Sequence, residues 1–330
     1  MLFTAIYGIV LHKNSQDKVI SMNNNVMIAM SGGVDSSVAA CLMQQQGYRC
    51  MGATMLLCGK QLLGSAADST GQIRDAQNVA ERLGIPFHVF DATDLFLEKV
   101  VSDFVSCYEA GLTPNPCIQC NRHLKFSHLL QKALECGCDY VATGHYARIR
   151  QASDTGRYLL YKAADPAKDQ SYFLACLSQE QLCHVKFPLG ELTKAQAREL
   201  AETMGLLNAK KRDSQDICFI PDGDYAAFLR RFTGKDYPSG DFLDQSGKKV
   251  GTHSGAVDYT LGQRKGLGLA MGQPVYVCAK DMARNTVTVG PNAALFSDTL
   301  LAEDWNWFPF ETLTGPLRVC AKARYNQQPQ

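Results

Sequence analysis

The chain has no apolar run long enough to cross a bilayer, no internal repeat, no low-complexity tract and almost no net charge. The first absence excludes a membrane-spanning helix. The last, 33 Lys and Arg against 32 Asp and Glu, excludes a generic polyanion-binding coat, so any nucleic-acid contact must come from local patches. A disulfide framework is missing too. Thirteen cysteines is an odd count, their spacing follows no scaffold and no secretory signal precedes them, so they read as reduced cytosolic thiols. No arginine stands before Arg49, as a transit peptide would require, and LFTAIYGIV meets no small-residue cleavage site. The first 24 residues therefore read as an extension, with Met22 as an alternative start.

What is present begins with alternation. Val26–Met30 is a short apolar run suited to a buried parallel strand, and 35–46 has helical spacing stopped by Gly47. CMGATMLL and PFHVFDAT are further strands, with the amphipathic IRDAQNVAERLG between them. A helix over Leu124–Glu135 leads through Gly137 into DYVATGHYA, a strand ending in a loop, and AQARELAETMG is again helical. Strands alternating with helices predict an α/β doubly wound parallel sheet, with ligands beyond the carboxyl ends of its strands. After about residue 213 the texture turns to short strand-like runs punctuated by Gly, Asn, Asp and Pro, among them FLDQSGKKVGTHSG, GQPVYVCAKDMARNTVTVG and GPLRVCAKARY. That pattern predicts a β-rich second half of small barrels.

Between the first strand and helix stands SGGVDSS, Ser31 to Ser37. Backbone N–H groups and hydroxyls at a helix amino terminus suit an anion, and the glycines permit close approach. A plain tight turn, with Asp35 or Ser36 capping the helix, is the competing reading. In its strand-to-helix context the loop resembles the pyrophosphate loop of the ATP-pyrophosphatase superfamily, which cleaves ATP between its α and β phosphates. That resemblance accounts for the lysine this loop lacks. Pyrophosphate leaves, so no lysine is held on a γ-phosphate as in a Walker loop. It also implies that Asp35 helps hold Mg²⁺, a hard cation that prefers oxygen ligands.

Cys117 and Cys120 lie in TPNPCIQCNRHLKF, on a stretch stiffened by Pro114 and Pro116 and close to Arg122 and Lys125. Cys218 lies beside Asp213 and Asp216. Thiols near cations at a helix start become thiolates. Three readings stand open: a zinc site from Cys117, Cys120, Cys136 and Cys138; inert buried thiols, which suits Cys41, Cys50, Cys176, Cys183 and Cys278; and sulfur or cluster chemistry by Cys117, Cys120 and Cys218 together.

SGGVDSS, GLTPNPCIQCNRHLKF, DYVATGHYARI, AKDQSYFL, RDSQDICFI, GTHSGAVDYTLGQRKGLG and KARY follow the order found in the tRNA-specific 2-thiouridylases, and the likeness runs from about residue 25 to the end. The resemblance implies an ATP-pyrophosphatase domain over 25–213, a central domain over 214–292 and a truncated C-terminal β-barrel over 293–330. The implied activity is ATP-dependent 2-thiolation of the wobble uridine in the tRNA anticodon stem-loop, by adenylation of the C2 oxygen and displacement of AMP by sulfur. Carried over by position, the ATP loop is Ala29, Met30, Ser31, Gly32, Gly33, Val34, Asp35 and Ser36, with Met55 and Gly144 beside the adenosine. Asn115, Pro116 and Cys117 correspond to target-base positions, Cys120 to the nucleophile and Cys218 to the persulfide carrier. Lys168, Asp169, Gln170, Arg324 and Tyr325 fall on tRNA-contact positions. One departure stands out: where many members have aspartate, this chain has Cys117. That leaves two sulfur routes open. In one, Cys120 and Cys218 work as a dithiol pair supplied by a sulfur-donor protein. In the other, all three cysteines hold a [4Fe–4S] cluster whose open iron binds sulfide, a route favoured because the third thiol otherwise has no evident task.

The chemistry requires these parts because a uridine C2 carbonyl has no leaving group until its oxygen is adenylated. A base in an anticodon stack must be splayed out, for which His145 and Tyr146 are candidates. Basic runs at 210–212, 230–231, 248–249 and 264–265 offer phosphate contacts, the last within YTLGQRKGLG, where glycines allow a loop to follow an RNA backbone. Two other classes share parts of the pattern. An amide-forming synthetase shares the glycine loop but has no use for the cysteines, and an RNA-binding module with a vestigial loop would release no AMP.

Overall fold

The computed structural model describes residues 24–59, 62, 69–206 and 217–330. The expectations on the extension before residue 24, on the basic run at 210–212 and on Asp213 and Asp216 lie outside the described residues. The chain divides into two compact units: Met1–Phe96, Cys117–Ser214 and Ala302–Gln330 form one, and Leu97–Pro116 with Gln215–Leu301 the other.

In the first unit the apolar run becomes β1 (Asn25–Ala29), the centre of a five-stranded sheet with β2 (Arg49–Leu56), β3 (Phe87–Asp91), β4 (Tyr140–Thr143) and β7 (Val185–Lys186). The order is β3-β2-β1-β4-β7 and every pairing is parallel. Val26, Met27 and Ile28 are wholly buried because both faces are covered. Val26 and Ile28 join a core with Val38 of the helix Val34–Gln45 and with Ala197 and Ala201 of the helix Lys194–Thr203. Met27 meets Leu129, Leu130 and Ala133 on the opposite side. Strand order reverses between β1 and β4, so the crevice for a ligand opens beyond their carboxyl ends. β5 (Ala147–Gln151) and β6 (Tyr158–Lys162) form an antiparallel hairpin beside the sheet.

The helix expected over 124–135 starts earlier. It is α-helical over Pro116–Gln119, π-helical over Cys120–His128 and α-helical again over Leu129–Glu135. Pro116, read from sequence as part of a stiff loop, instead opens this helix, where its fixed φ and missing N–H cost nothing.

The second unit carries a four-stranded sheet, order β10-β11-β8-β9, from β8 (Gly240–Leu243), β9 (Lys249–His253), β10 (Tyr276–Asp281) and β11 (Thr286–Gly290). β11 and β8 run parallel and the outer pairings are antiparallel. Phe242, Val277, Val287 and Val289 fill its core with Tyr259 and Leu267. The helix Tyr225–Thr233, capped by Asp224 and closed by left-handed Gly234, brings Phe228 to Phe104 and Phe219. Residues 293–330 carry no sheet pairing, and GPLRVCAKARY, read as a strand, has no ladder partner. No helix among the described residues is long and apolar enough to cross a membrane.

Candidate functional site

The glycine loop leaves the carboxyl end of β1 and enters the helix Val34–Gln45 through Gly33, an extended N-cap with no side-chain cap, rather than through Asp35 or Ser36. Gly32 sits at φ +68, and a Cβ there would lie 2.6 Å from the carbonyl oxygen of Gln72. Only glycine fits that conformation in that space. The hydroxyls hold the loop from within: Ser36 Oγ accepts from Ser31 N–H at 3.2 Å, and the Ser36 and Ser37 hydroxyls both donate to the Gly33 carbonyl. Met30 and Val34 point into the core, 3% and 4% exposed, so these positions offer a ligand backbone only. Thr54 Oγ1 donates to the Met30 carbonyl, fixing the loop's start to β2 beside Met55.

Gly144 follows β4 and presses directly on the loop. A Cβ at Gly144 would lie 2.7 Å from the carbonyl carbon of Asp35 and from the amide nitrogen of Ser36. The two strand ends flanking the sheet's reversal thus meet backbone to backbone, and the sequence motifs SGGVDSS and TGHY form one cradle.

The lysine missing from the loop arrives from elsewhere. Lys194 Nζ donates to both carboxylate oxygens of Asp35 at 2.8 Å, from 159 residues away in sequence. Tyr146 Oη donates to Asp35 Oδ1, also at 2.8 Å. The lysine side chain is 11% exposed and the aspartate 30%. Lys194 opens a helix whose N-cap, Thr193, forms a reciprocal capping box with Gln196. A cation in the first turn opposes the helix dipole. That misplacement in LTKAQAREL was the sequence signal for a residue that pattern reasoning missed.

Gln170 clasps Tyr146 by exchanging two hydrogen bonds of 2.9 Å, from Tyr146 N–H to its side chain and from its own N–H to the Tyr146 carbonyl. Asp169 turns inward, 7% exposed, and accepts from Ala163 N–H, Ser171 N–H and Ser171 Oγ. Lys168 is half-buried on the same loop. The structure brings this loop to the carboxyl-terminal segment: Tyr325 lies 4.6 Å from Phe173, Tyr172 Oη donates to the Ala323 carbonyl, and Lys322 stands over the rings of Tyr172 and Tyr325 at 5.4 and 5.0 Å. Lys168 and Gln170 thus precede, on one loop, the Tyr172 and Phe173 rings that meet Tyr325, whereas Asp169, expected at the same surface, is turned away from it to hold the loop.

The cysteine segment packs on the same strand end. Phe126, fully buried, meets the His145 ring at 5.8 Å, one residue beyond Gly144. Phe187 closes the other side of that ring, and His145 Nδ1 hydrogen-bonds Thr143 Oγ1 at 2.7 Å. Burial first, then the charge of Lys125, holds the His145 pKa well below the usual imidazole range, so the ring is neutral. Asn121 donates to the Phe173 carbonyl, linking the segment to the aromatic surface. Around it Gln119 Oε1, Asn121 Oδ1, Arg122 Nε and His128 Nε2 are buried without a protein partner, a concentration of unmet polar atoms in one helical stretch. Cys117 is exposed and Cys120 is 8% exposed. Cys176 donates toward the Ile118 carbonyl, and burial pushes its pKa up to about 11, that of an inert thiol. In the second unit Cys218 is exposed on a turn closed by Ile220 N–H to the Ile217 carbonyl, and Asn115 and Pro116 belong to that unit too.

The helix start without a side-chain cap fits a polyphosphate. Asp35 has the oxygen donors Mg²⁺ prefers, but both are engaged by Lys194, so a divalent cation must share or release that ammonium. Among the described residues no three His, Cys, Asp or Glu are gathered as a metal site. The four-cysteine zinc arrangement does not form: Cys138 is buried, with its pKa raised to about 11, while Cys136 is exposed.

Residues 24–222 match the family described as the tRNA methyl transferase HUP domain, and 226–291 match the tRNA methyl transferase PRC-barrel domain. The tRNA-specific 2-thiouridylase MnmA of Clostridioides difficile is 47% identical over 312 residues, 93% of this chain and 86% of that one. The protein of the same name from Heliobacterium modesticaldum is 49% identical over 312 residues, 93% of this chain and 81% of that one. The solved U34-tRNA thiolase NcsA from Methanococcus maripaludis with its [4Fe-4S] cluster is similar at a TM-score of 0.40 and 18% identity, covering 66% of this chain and 70% of that one; at that distance no residue role transfers.

Proposed function

The chain belongs to the tRNA-specific 2-thiouridylase family, and from that premise we propose that it replaces the C2 oxygen of the tRNA wobble uridine with sulfur in an ATP-dependent reaction. The observation that carries this reading is the contact of Phe126, in the Cys120–His128 segment, with His145, on the strand end whose Gly144 forms part of the cradle. Activation chemistry and sulfur chemistry then share one end of one sheet.

In this reading the loop amides at Gly33 to Ser36 and the Lys194 ammonium receive the phosphates of ATP. Asp35 would hold Mg²⁺, which would supply positive charge against that of the phosphates. As the phosphates enter, the Lys194 ammonium would transfer from the Asp35 carboxylate to phosphate, freeing Asp35 oxygens that could hold a metal. Charge that develops on the departing pyrophosphate meets donors already in position, the usual source of large rate gains. Tyr146 keeps Asp35 aimed, and Gln170 keeps Tyr146 in place.

The uridine oxygen attacks the α-phosphorus and pyrophosphate leaves. A persulfide on Cys218 supplies the sulfur that attacks C2, AMP departs, and Cys120 resolves the remaining sulfur–sulfur bond as a protein disulfide that a thiol reductant reopens. Asn115 to Cys117 face the base. Tyr172, Phe173 and Tyr325 offer rings on which unstacked bases can lie, with Lys168, Lys322 and Arg324 as the cations around them. The proposed domain limits are 25–213 for the catalytic domain and 214–292 for the central one, with the family matches over 24–222 and 226–291 in support. The workplace is the cytoplasm, where the substrate is.

Cys117 leaves the cluster route open, and iron is its test. Anaerobically purified protein is assayed for iron and for 2-thiouridine formed in tRNA with ATP and, in separate arms, sulfide or a persulfide-bearing sulfur donor. Iron-free, colourless, active protein supports the persulfide route, and about three irons or more per active chain support the cluster. Loss of 2-thiouridine in Cys120→Ala with retention of tRNA-dependent pyrophosphate release supports the overall reading. Absence of tRNA-dependent pyrophosphate release from the unaltered protein overturns it.

A further inference from the structure

Half of the ten Lys and Arg side chains of the second unit, Lys99 with Glu98 among them, are paired with carboxylates. Arg230 pairs with Asp258, Lys235 with Glu109, Lys249 with Asp241 and Arg284 with Asp281, while Lys280 donates to the Tyr259 carbonyl. Arg264 and Lys265, adjacent and exposed, have no carboxylate within reach among the described residues. In a protein whose formal charge is only +1, two adjacent uncompensated cations are a local excess that the rest of the chain does not dilute.

Their turn is built rather than loose. Gln263 spans it with one side chain: Oε1 accepts from Thr260 N–H at 2.9 Å and Nε2 donates to the Lys265 carbonyl at 3.0 Å. The main chain of Gln263 donates to the Thr260 carbonyl and accepts from Val277 N–H, and Gly262 N–H donates to the Val277 carbonyl at 2.8 Å, so the turn is sewn to β10. Leu267 anchors its far side in the core of the unit. Gly262 and Gly266 take φ of +84 and +74, conformations that bring the chain around Arg264 and Lys265 without side chains on either shoulder. An exposed pair of flexible cations loses much entropy when it grips a ligand; a pair on a clamped turn loses less.

We propose that the Gly262–Gly268 turn is a grip for the sugar–phosphate backbone of tRNA, with Arg264 and Lys265 each taking a phosphate and Gln263 positioning them. The bare glycine shoulders let an RNA strand approach the main chain closely. This rests on the reading of tRNA as the substrate. The grip carries no base information, so it acts on affinity and orientation rather than on the choice of nucleotide.

The full chain is tested by measuring tRNA affinity across a salt series. Removing both charges, Arg264→Ala with Lys265→Ala, is expected to weaken binding about tenfold at low salt. The slope of log K against log salt should fall by about 1 to 2, roughly one for each phosphate that is no longer neutralised. ATP affinity and the thermal midpoint stay as in the parent. Gln263→Ala, which keeps both charges, is expected to weaken binding about threefold with the slope retained. Lys248→Ala, which removes a charge from a separate turn, serves as the control and changes the slope less. Affinity and slope of the double variant within about twofold of the parent overturn the grip, as does an equal loss in Lys248→Ala. If the parent forms 2-thiouridine while the double variant binds tRNA normally, only the grip fails. If the parent neither binds nor modifies tRNA, the functional reading falls with it.

Discussion

Replacing Lys194 by methionine removes the ammonium at the glycine loop while keeping most of the apolar stem. The pair it breaks has nitrogen 2.8 Å from each oxygen of Asp35, with the lysine 11% and the aspartate 30% exposed. At an effective dielectric of about 20, Coulomb attraction at that distance is roughly 6 kcal/mol, most of it offset by the desolvation of both groups. Partial exposure of Asp35 and its bond to Tyr146 soften the loss, so stability should fall by about 1 to 3 kcal/mol, a drop of several degrees in thermal midpoint. Activity should fall further. A preorganised donor on a charge that develops in the transition state is worth about 10² to 10³ in rate. The assay is tRNA-dependent pyrophosphate release under saturating ATP, beside a thermal melt of the same preparation. A purely structural ion pair predicts that Asp35→Asn with Lys194→Met restores stability and that Lys194→Met alone keeps its rate when folded. A folded Lys194→Met protein releasing pyrophosphate within about threefold of the parent refutes the role given to this lysine.

Gly144→Ala puts a methyl 2.7 Å from the loop backbone; the expected result is a loss of about 1 to 3 kcal/mol and a raised KM for ATP, read by melt and by ATP titration. Cys120→Ser should abolish 2-thiouridine formation, whereas Cys176→Ala, which removes a thiol held at about 11, should leave it unchanged at a stability cost of about 1 kcal/mol; mass analysis of tRNA nucleosides checks both. The depressed pKa of His145 means that the unfolded chain takes up this proton first. Stability is therefore lost as pH falls below the unfolded value of about 6.5 and continues to fall toward the lower folded value. Urea melts at two pH values should show a smaller acid loss in His145→Gln than in the parent, and an equal loss contradicts the buried neutral ring.

The alternation of apolar runs and amphipathic stretches was enough to announce a parallel α/β sheet, because burial on both faces leaves strands such as Val26–Ile28 with continuous hydrophobicity. The glycine loop was legible for a similar reason: Gly32 must adopt a conformation and a closeness that other residues refuse. Boundaries were less legible at the cysteine helix. Its π-helical stretch obeys neither a 3.6-residue period nor a cap rule, and Pro116 can open a helix as readily as stiffen a loop. The change of texture after about residue 213 marked one piece of the second unit, but nothing in composition assigned 97–116 to it; that is decided only where Phe104 meets Phe219.

What the residue order determined by itself, then, is local: the sheet, the cradle's glycines and the presence of cysteines near basic groups. What only folding decided is which distant groups share a charge. Asp35 has no cation within its own motif, and Lys194 has no acid within its own helix turn; they meet because the ends of β1 and β4 converge and the helix Lys194–Thr203 packs beside them. Periodicity reports which face of an element is buried, but a bond between two side chains 159 residues apart depends on how those faces stack. No short-range rule of propensity or capping contains that information.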